Sequence, residues 1–148
     1  MAANVAAVLR DDAAILAQVS AYMLDSPSTP SVCVMGVEEI DYDAGGYSAR
    51  DDSWTLIVEA CLGRVSDINA QKILNELLNS SGANSMKAAI ESDLTLTKRL
   101  VNGVVVTDQT AAIRELRVTR YRGQQRFVLP NRVEVLLASW LVQVETSG

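Results

Sequence analysis

The stretch Trp54-Thr-Leu-Ile-Val-Glu-Ala-Cys-Leu62 decides the fold. Successive side chains of an extended chain point to opposite sides, so Trp54, Leu56, Val58, Ala60 and Leu62 share one face. The other face carries Thr55, Ile57, Glu59 and Cys61, which predicts a strand that is partly covered on both sides. Residues 133–144 read the same way, with Glu134, Leu136, Ala138, Trp140 and Val142 alternating against Val135, Leu137, Ser139, Leu141 and Gln143. Two such strands predict a sheet with a well-filled apolar face.

Outward from these strands the periodicity changes. Residues 4–23 place Val5, Val8, Leu9, Ile15, Leu16, Val19, Tyr22 and Met23 at three- and four-residue steps, which predicts an N-terminal helix interrupted on its apolar face by Asp12. Asp25-Ser-Pro-Ser-Thr-Pro30 ends it, because proline cannot continue a helix. Ser31-Val-Cys-Val-Met35 predicts a short buried strand. Residues 36–53, rich in Gly, Asp, Glu and Tyr, predict an extended loop or arm.

After Gly63, Ser66 or Asp67 can cap a helix with Ala70, Ile73, Leu74, Leu77 and Leu78 on one face. Ser85 caps a further short helix with Met86, Ala89 and Ile90 inward. From Leu100 the pattern is β: one strand over 100–108, then 113–122, a break at Gly123, and 125–129. Leu129-Pro-Asn-Arg132 predicts a β-turn. The expected architecture is a single α+β domain over 1–148: a mostly antiparallel β-sheet, with the N-terminal helix and two further helices packed on one face.

Composition narrows the chemistry. The 148 residues are 49% hydrophobic and 21% charged, a globular balance rather than a disordered one. Histidine is absent, which excludes Ser-His-Asp and Cys-His catalysis and imidazole metal ligation. Cys33 and Cys61 lie in apolar runs, where buried free thiols are the simplest reading and a single bridge the less favoured one. No basic-then-apolar leader is evident at the start, and the longest apolar run, near 135–142, is far short of the ~20 residues of a membrane span. The expectation is a soluble, intracellular protein without a membrane partner.

No G-x-x-x-x-G-K-[ST], G-x-G-x-x-G or G-x-S-x-G stretch occurs, and without a base to activate a serine no enzyme is expected. Glu38, Glu39, Asp41 and Asp43, with Asp51 and Asp52 beyond them, offer carboxylates for a cation or for acid–base work. Asp41-Tyr-Asp-Ala-Gly-Gly46 departs from the calcium-loop pattern, so solvated loop charge is preferred and no metal or cofactor is expected.

Charge is distributed unevenly. Residues 1–50 carry seven acids against two bases, whereas 101–148 carry six arginines against four acids, on a chain of net charge −5. Arg114, Arg117, Arg120, Arg122 and Arg126 sit in an arginine-rich hairpin over 114–132. Strict alternation puts Arg114, Arg120 and Arg122 on the side of Leu116 and Val118, and Arg117, Thr119 and Tyr121 on the other. Ion pairing with a protein partner ranks first, a basic lining over nucleic acid second and plain solvation close behind, because nucleic-acid domains usually carry net positive charge.

Gly63-Arg-Val-Ser-Asp67, the amphipathic helix after it, and Ser81-Gly-Ala-Asn-Ser-Met-Lys-Ala-Ala-Ile-Glu-Ser-Asp93 resemble the tail terminator proteins of long-tailed actinobacterial phages, similar in role to the lambda-type terminator. The strand at 30–34, the acidic Ile40-Asp-Tyr-Asp43 segment and the Trp54 strand follow the family's order, over roughly residues 1–108. The chain departs from the family after Asp93, where Leu94-Thr-Leu-Thr stands in place of an Asp-Pro-Thr-Leu-Gly-Gly turn, and the arginine hairpin has no counterpart. The resemblance implies a homohexameric ring on the tail tube, with the tube protein and the head-to-tail connector or stopper as partners. DNA would pass through the lumen, and the protein would reside in the virion neck, after assembly in host cytoplasm. A neighbouring connector or head-completion protein, and a small ligand-binding regulatory domain, are the alternatives. The resemblance carries over no catalytic or binding residue; Glu38, Glu39, Asp41, Asp43 and the five arginines are the candidate interface.

Overall fold

A computed structural model describes residues 5, 18–20, 31–44, 51–64, 68–82, 85–92, 98–101, 104–107, 113–128 and 132–147. Five strands form one sheet in the order β1-β2-β3-β7-β6: β1 Gln18–Ser20, β2 Ser31–Asp41, β3 Asp51–Arg64, β6 Ile113–Val128 and β7 Glu134–Ser147. All neighbours are antiparallel except β1, which runs parallel to β2. Strands β4 (Lys98–Val101) and β5 (Val104–Thr107) pair as a separate two-stranded sheet. Helices α1 (Ile68–Leu77) and α2 (Met86–Glu91) pack on β3 and β6 respectively.

This corrects the expected α+β architecture. Strands dominate the described chain, and its two helices are short. The N-terminal helix expected over 4–23 does not run to its end: Val5 is helical and buried, but Gln18, Val19 and Ser20 hydrogen-bond into the sheet beside Ser31, Val32 and Cys33. The rest of that expectation lies outside the described residues. The physical reason is the competition between a weak local signal and a partner strand: Gln18-Val-Ser alternates as readily as it spirals, and β2 presents an edge for it.

The core follows the alternation of β3 and β7. Leu56, Val58, Ala60 and Leu62 face Leu136, Ala138, Trp140, Val142 and Val144, and Ala70, Leu74, Leu77, Met86, Ala89 and Ile90 close over them from the helices. Ser85 caps α2, its hydroxyl accepting the Ala88 N–H at 3.1 Å. Replacing it with alanine leaves that donor open, so Ser85→Ala is expected to cost about 1 kcal/mol in denaturant unfolding.

Three segments differ from the sequence reading. Most of the described part of 36–53 is strand: β2 and β3 pair as far as Asp41↔Ser53, and the arm is a hairpin whose turn includes Asp43 in the left-handed region (φ 57°). Residues 113–128 form one strand, in which Gly123 (φ 100°) accommodates a bulge rather than a break. The run 100–108 divides into β4 and β5, with Val101 opposite Val104. The intervening Asn102-Gly103 is the dipeptide that two-residue hairpins favour. Of the expected turn at 129–132 only Arg132 is described, with φ 66°.

Candidate interaction surface and sheet-face cleft

Bulges place the charged side chains. A bulge adds one residue to a strand, bends it and re-aims the side chains around it. Register shifts leave Met35 and Glu38 as the extra residues of β2, and Arg114, Thr119 and Arg122 as those of β6. The parity expected for the arginines therefore fails. Tyr121 lies opposite Trp140 on the helix-covered side, with ring centroids 5.4 Å apart, while Arg117 and Arg120 share the far side with Gln143 and Leu141. Beyond Gly123, Arg126 pairs in register with Leu136, which returns it to the helix-covered side.

Two arginines reach across the sheet. Arg122 Nη1 lies 3.8 Å from Glu38 Oε1, joining β6 to β2 over the two strands between them. Arg114 pairs with the buried Asp51 carboxylate at the start of β3. Arg117 approaches Glu115 at 3.5 Å and Gln143 at 3.4 Å, and Gln143 in turn donates to Ser53 at 3.0 Å. The sequence-selected residues thus divide. Glu38 and Arg122 meet each other, and Arg114 and Arg117 are engaged within the chain. Glu39, Asp41, Asp43, Arg120 and Arg126 are exposed and carry no side-chain ion pair among the described residues. The Asp43 N–H is held by Asp52 Oδ1 at 3.1 Å, which fixes the arm's turn.

Between the bulges of β2 and β6 the far face holds a cleft of about 230 Å³, lined by Met35, Ile57, Glu59, Arg122, Gln125 and Ser139. Burial raises the pKa of the Glu59 carboxyl above its ordinary range. Sequence reasoning placed Glu59 on this face but did not single it out; the available signal was a lone carboxylate inside an apolar strand. Its folded pKa lies above its unfolded one, so the stabilising proton is kept below the unfolded value and lost as pH rises through the folded value. Glu59→Gln is expected to raise the melting temperature at pH 7 and to leave it unchanged below about pH 4. Equal or lower stability of the variant at neutral pH contradicts this.

Cys33 and Cys61 are buried thiols on the same far face, not joined in a disulfide, with Cys33 in register with Glu59. Burial raises the Cys61 thiol's pKa, with the Gly63 backbone hydrogen bond opposing and Glu59 and Cys33 adding to the rise, so the thiol stays protonated and unreactive at neutral pH. Among the described residues no cluster of three or more Cys, Asp or Glu is arranged to hold a metal ion. No described helix is long and apolar enough to cross a membrane.

Comparison with protein-family models and with curated proteins finds no match to this chain.

Proposed function

We propose that the chain is a structural subunit of a phage neck: a tail terminator that assembles into a ring, caps the tail tube and joins it to the head connector. The resemblance at 63–93 suggests the family and a hexamer. One structural observation carries the reading further. The acidic arm on β2 and the arginine-bearing β6 lie toward opposite ends of one five-stranded sheet, and β6 has no strand on its outer side among the described residues. A closed ring needs such an arrangement, in which one surface meets a different surface on the next copy.

The internal pairs refine which residues serve. Glu38 and Arg122 engage each other, so Glu39, Asp41 and Asp43 on one side and Arg120 and Arg126 on the other are the charges available to a neighbour. An arginine surface of this kind also suits the phosphates of DNA passing through a lumen. The function asks for association and no bond-making.

The test is tube growth. Purified chain added to polymerising tail-tube protein is expected to stop elongation and to leave ring-shaped density on tube ends. Unchanged tube lengths with bare ends overturn the terminator assignment. Density on the connector instead favours a head-to-tail connector or head-completion protein. The far-face cleft favours a second reading, a small ligand-binding domain, which predicts a thermal shift with a metabolite that Glu59→Gln abolishes; no shift across a broad metabolite screen excludes it.

A further inference from the structure

The far-face cleft and the tip of the arm fit one another in size and in charge. The cleft is about 230 Å³, below the roughly 300 Å³ at which pockets for drug-sized ligands begin, and on the scale of one large side chain. Met35 and Ile57 give it apolar walls, while Glu59, Ser139 and Gln125 supply hydrogen-bonding groups. Glu59 forms no ion pair among the described residues. Basic groups stand on the β6 side. Arg122 lines the cleft and reaches Glu38 at 3.8 Å, and Arg120 is in register with Leu141, the next residue of β7 on that face after Ser139.

The arm carries a matching plug. Strands β2 and β3 stay paired to Asp41↔Ser53, and Asp52 Oδ1 holds the Asp43 N–H at 3.1 Å. On this stiffened turn Tyr42 is 67% exposed, between Asp41 and Asp43, which are exposed too. A tyrosine held in place before binding is a good anchor: its ring and hydroxyl suit a half-polar pocket, and little ordering entropy is left to lose. The tip cannot enter its own cleft. Glu59 follows Ser53 by six residues on the same strand, about 20 Å in an extended chain, and the turn lies beyond Ser53.

We infer that Tyr42 of one copy inserts into the far-face cleft of the next, its ring against Met35 and Ile57 and its hydroxyl donating to the Glu59 carboxylate, with Asp41 and Asp43 beside Arg120. Charge complementarity selects a second copy as the occupant: acids flank the plug and arginines flank the socket. Plug and socket are unlike surfaces at different places on the fold. Each copy therefore offers one of each, and the contact propagates in one direction round a circle. The turn itself docks, and no strand is added to the sheet. The inference rests on the ring reading and names the contact that propagates the ring.

The test pairs two variants of the full chain: Tyr42→Ala removes the plug and Ser139→Phe fills the socket, with circular dichroism melting to check that both fold. Each is expected to lose at least about 30-fold in self-association by sedimentation, the scale of one interface hot spot, and Tyr42→Phe only a few-fold. Mixed, the two should form a two-chain complex and nothing larger, since one plug and one socket remain. A second readout does not depend on Ser139→Phe. In methyl-labelled Tyr42→Ala chain, the Met35 methyl NMR signal should shift on adding unlabelled native chain and stay in place on adding unlabelled Tyr42→Ala chain. Self-association of Tyr42→Ala equal to the native chain's, or a Met35 signal that native chain leaves unmoved, overturns the inference. A shift produced by tail-tube protein and not by a second copy assigns the cleft to the tube and overturns it too. Native rings that survive Tyr42→Ala remove this contact and leave the ring reading standing; a two-chain complex of the mixed variants beside an open-ended native series does the reverse.

Discussion

Trp140→Ala is expected to lower the unfolding free energy by about 3–5 kcal/mol, a large part of the ~5–15 kcal/mol that holds a small domain folded. Trp140 is 3% exposed on β7, in the centre of the sheet's helix-covered face, and its ring leans on Tyr121 of the edge strand. Truncation removes the transfer free energy of the indole and leaves a cavity that sheet backbones on both sides cannot collapse to fill. It also withdraws the surface on which Tyr121 is half-buried, loosening β6. Urea unfolding of the variant should show a much lower midpoint, whereas Arg120→Ala, on an exposed side chain, should stay within about 0.5 kcal/mol of the native chain. A Trp140 variant as stable as the Arg120 one would mean that the apolar face of β7 is not the core.

The second large effect concerns assembly. Glu39→Lys with Asp41→Lys reverses the arm, and Arg120→Glu with Arg126→Glu reverses the edge strand. Either pair brings like charges together at every subunit contact, a juxtaposition costing several kcal/mol, so each variant alone is expected to lose at least about 100-fold in association. All four side chains are exposed, so folding should be preserved, as circular dichroism melting can check. Mixing the two variants then separates charge pairing from damage. A lysine arm meets a glutamate strand and an acidic arm meets an arginine strand, so alternating rings with an even number of subunits should reappear. Failure of the mixture to assemble, with both variants folded, contradicts pairing between the arm and β6.

Much of the sheet could be read from residue order because β3 and β7 are long enough for alternation to dominate. Leu56, Val58, Trp140 and Val142 are in the core as their period of two requires. Ser85 and the Met86–Ile90 face were legible for a similar local reason: a cap and its first turn are contained in a few residues. The N-terminal segment was misread because its apolar spacing satisfies a helix locally while β2, more than ten residues away, provides strand pairing for Gln18, Val19 and Ser20. Asn102-Gly103 was a readable hairpin signal that the valine run around it concealed.

The charged surfaces were legible as composition but not as geometry. Each bulge in β6 shifts the side-chain alternation by one, and little besides Gly123 marks one in the sequence. Arg120 and Arg122 therefore could not be assigned to faces by counting, and the Arg122–Glu38 and Arg114–Asp51 pairs depend on strands far apart in sequence lying in one sheet.

Native mass spectrometry across a range of protein concentrations, with and without tail-tube protein, tests the central claim that unlike surfaces of this fold close copies of it into a ring. One discrete multiple of the chain mass, with no ladder of higher species, is expected because a closed ring leaves no free end. A single-chain mass under every condition, or an open-ended series of sizes, contradicts it.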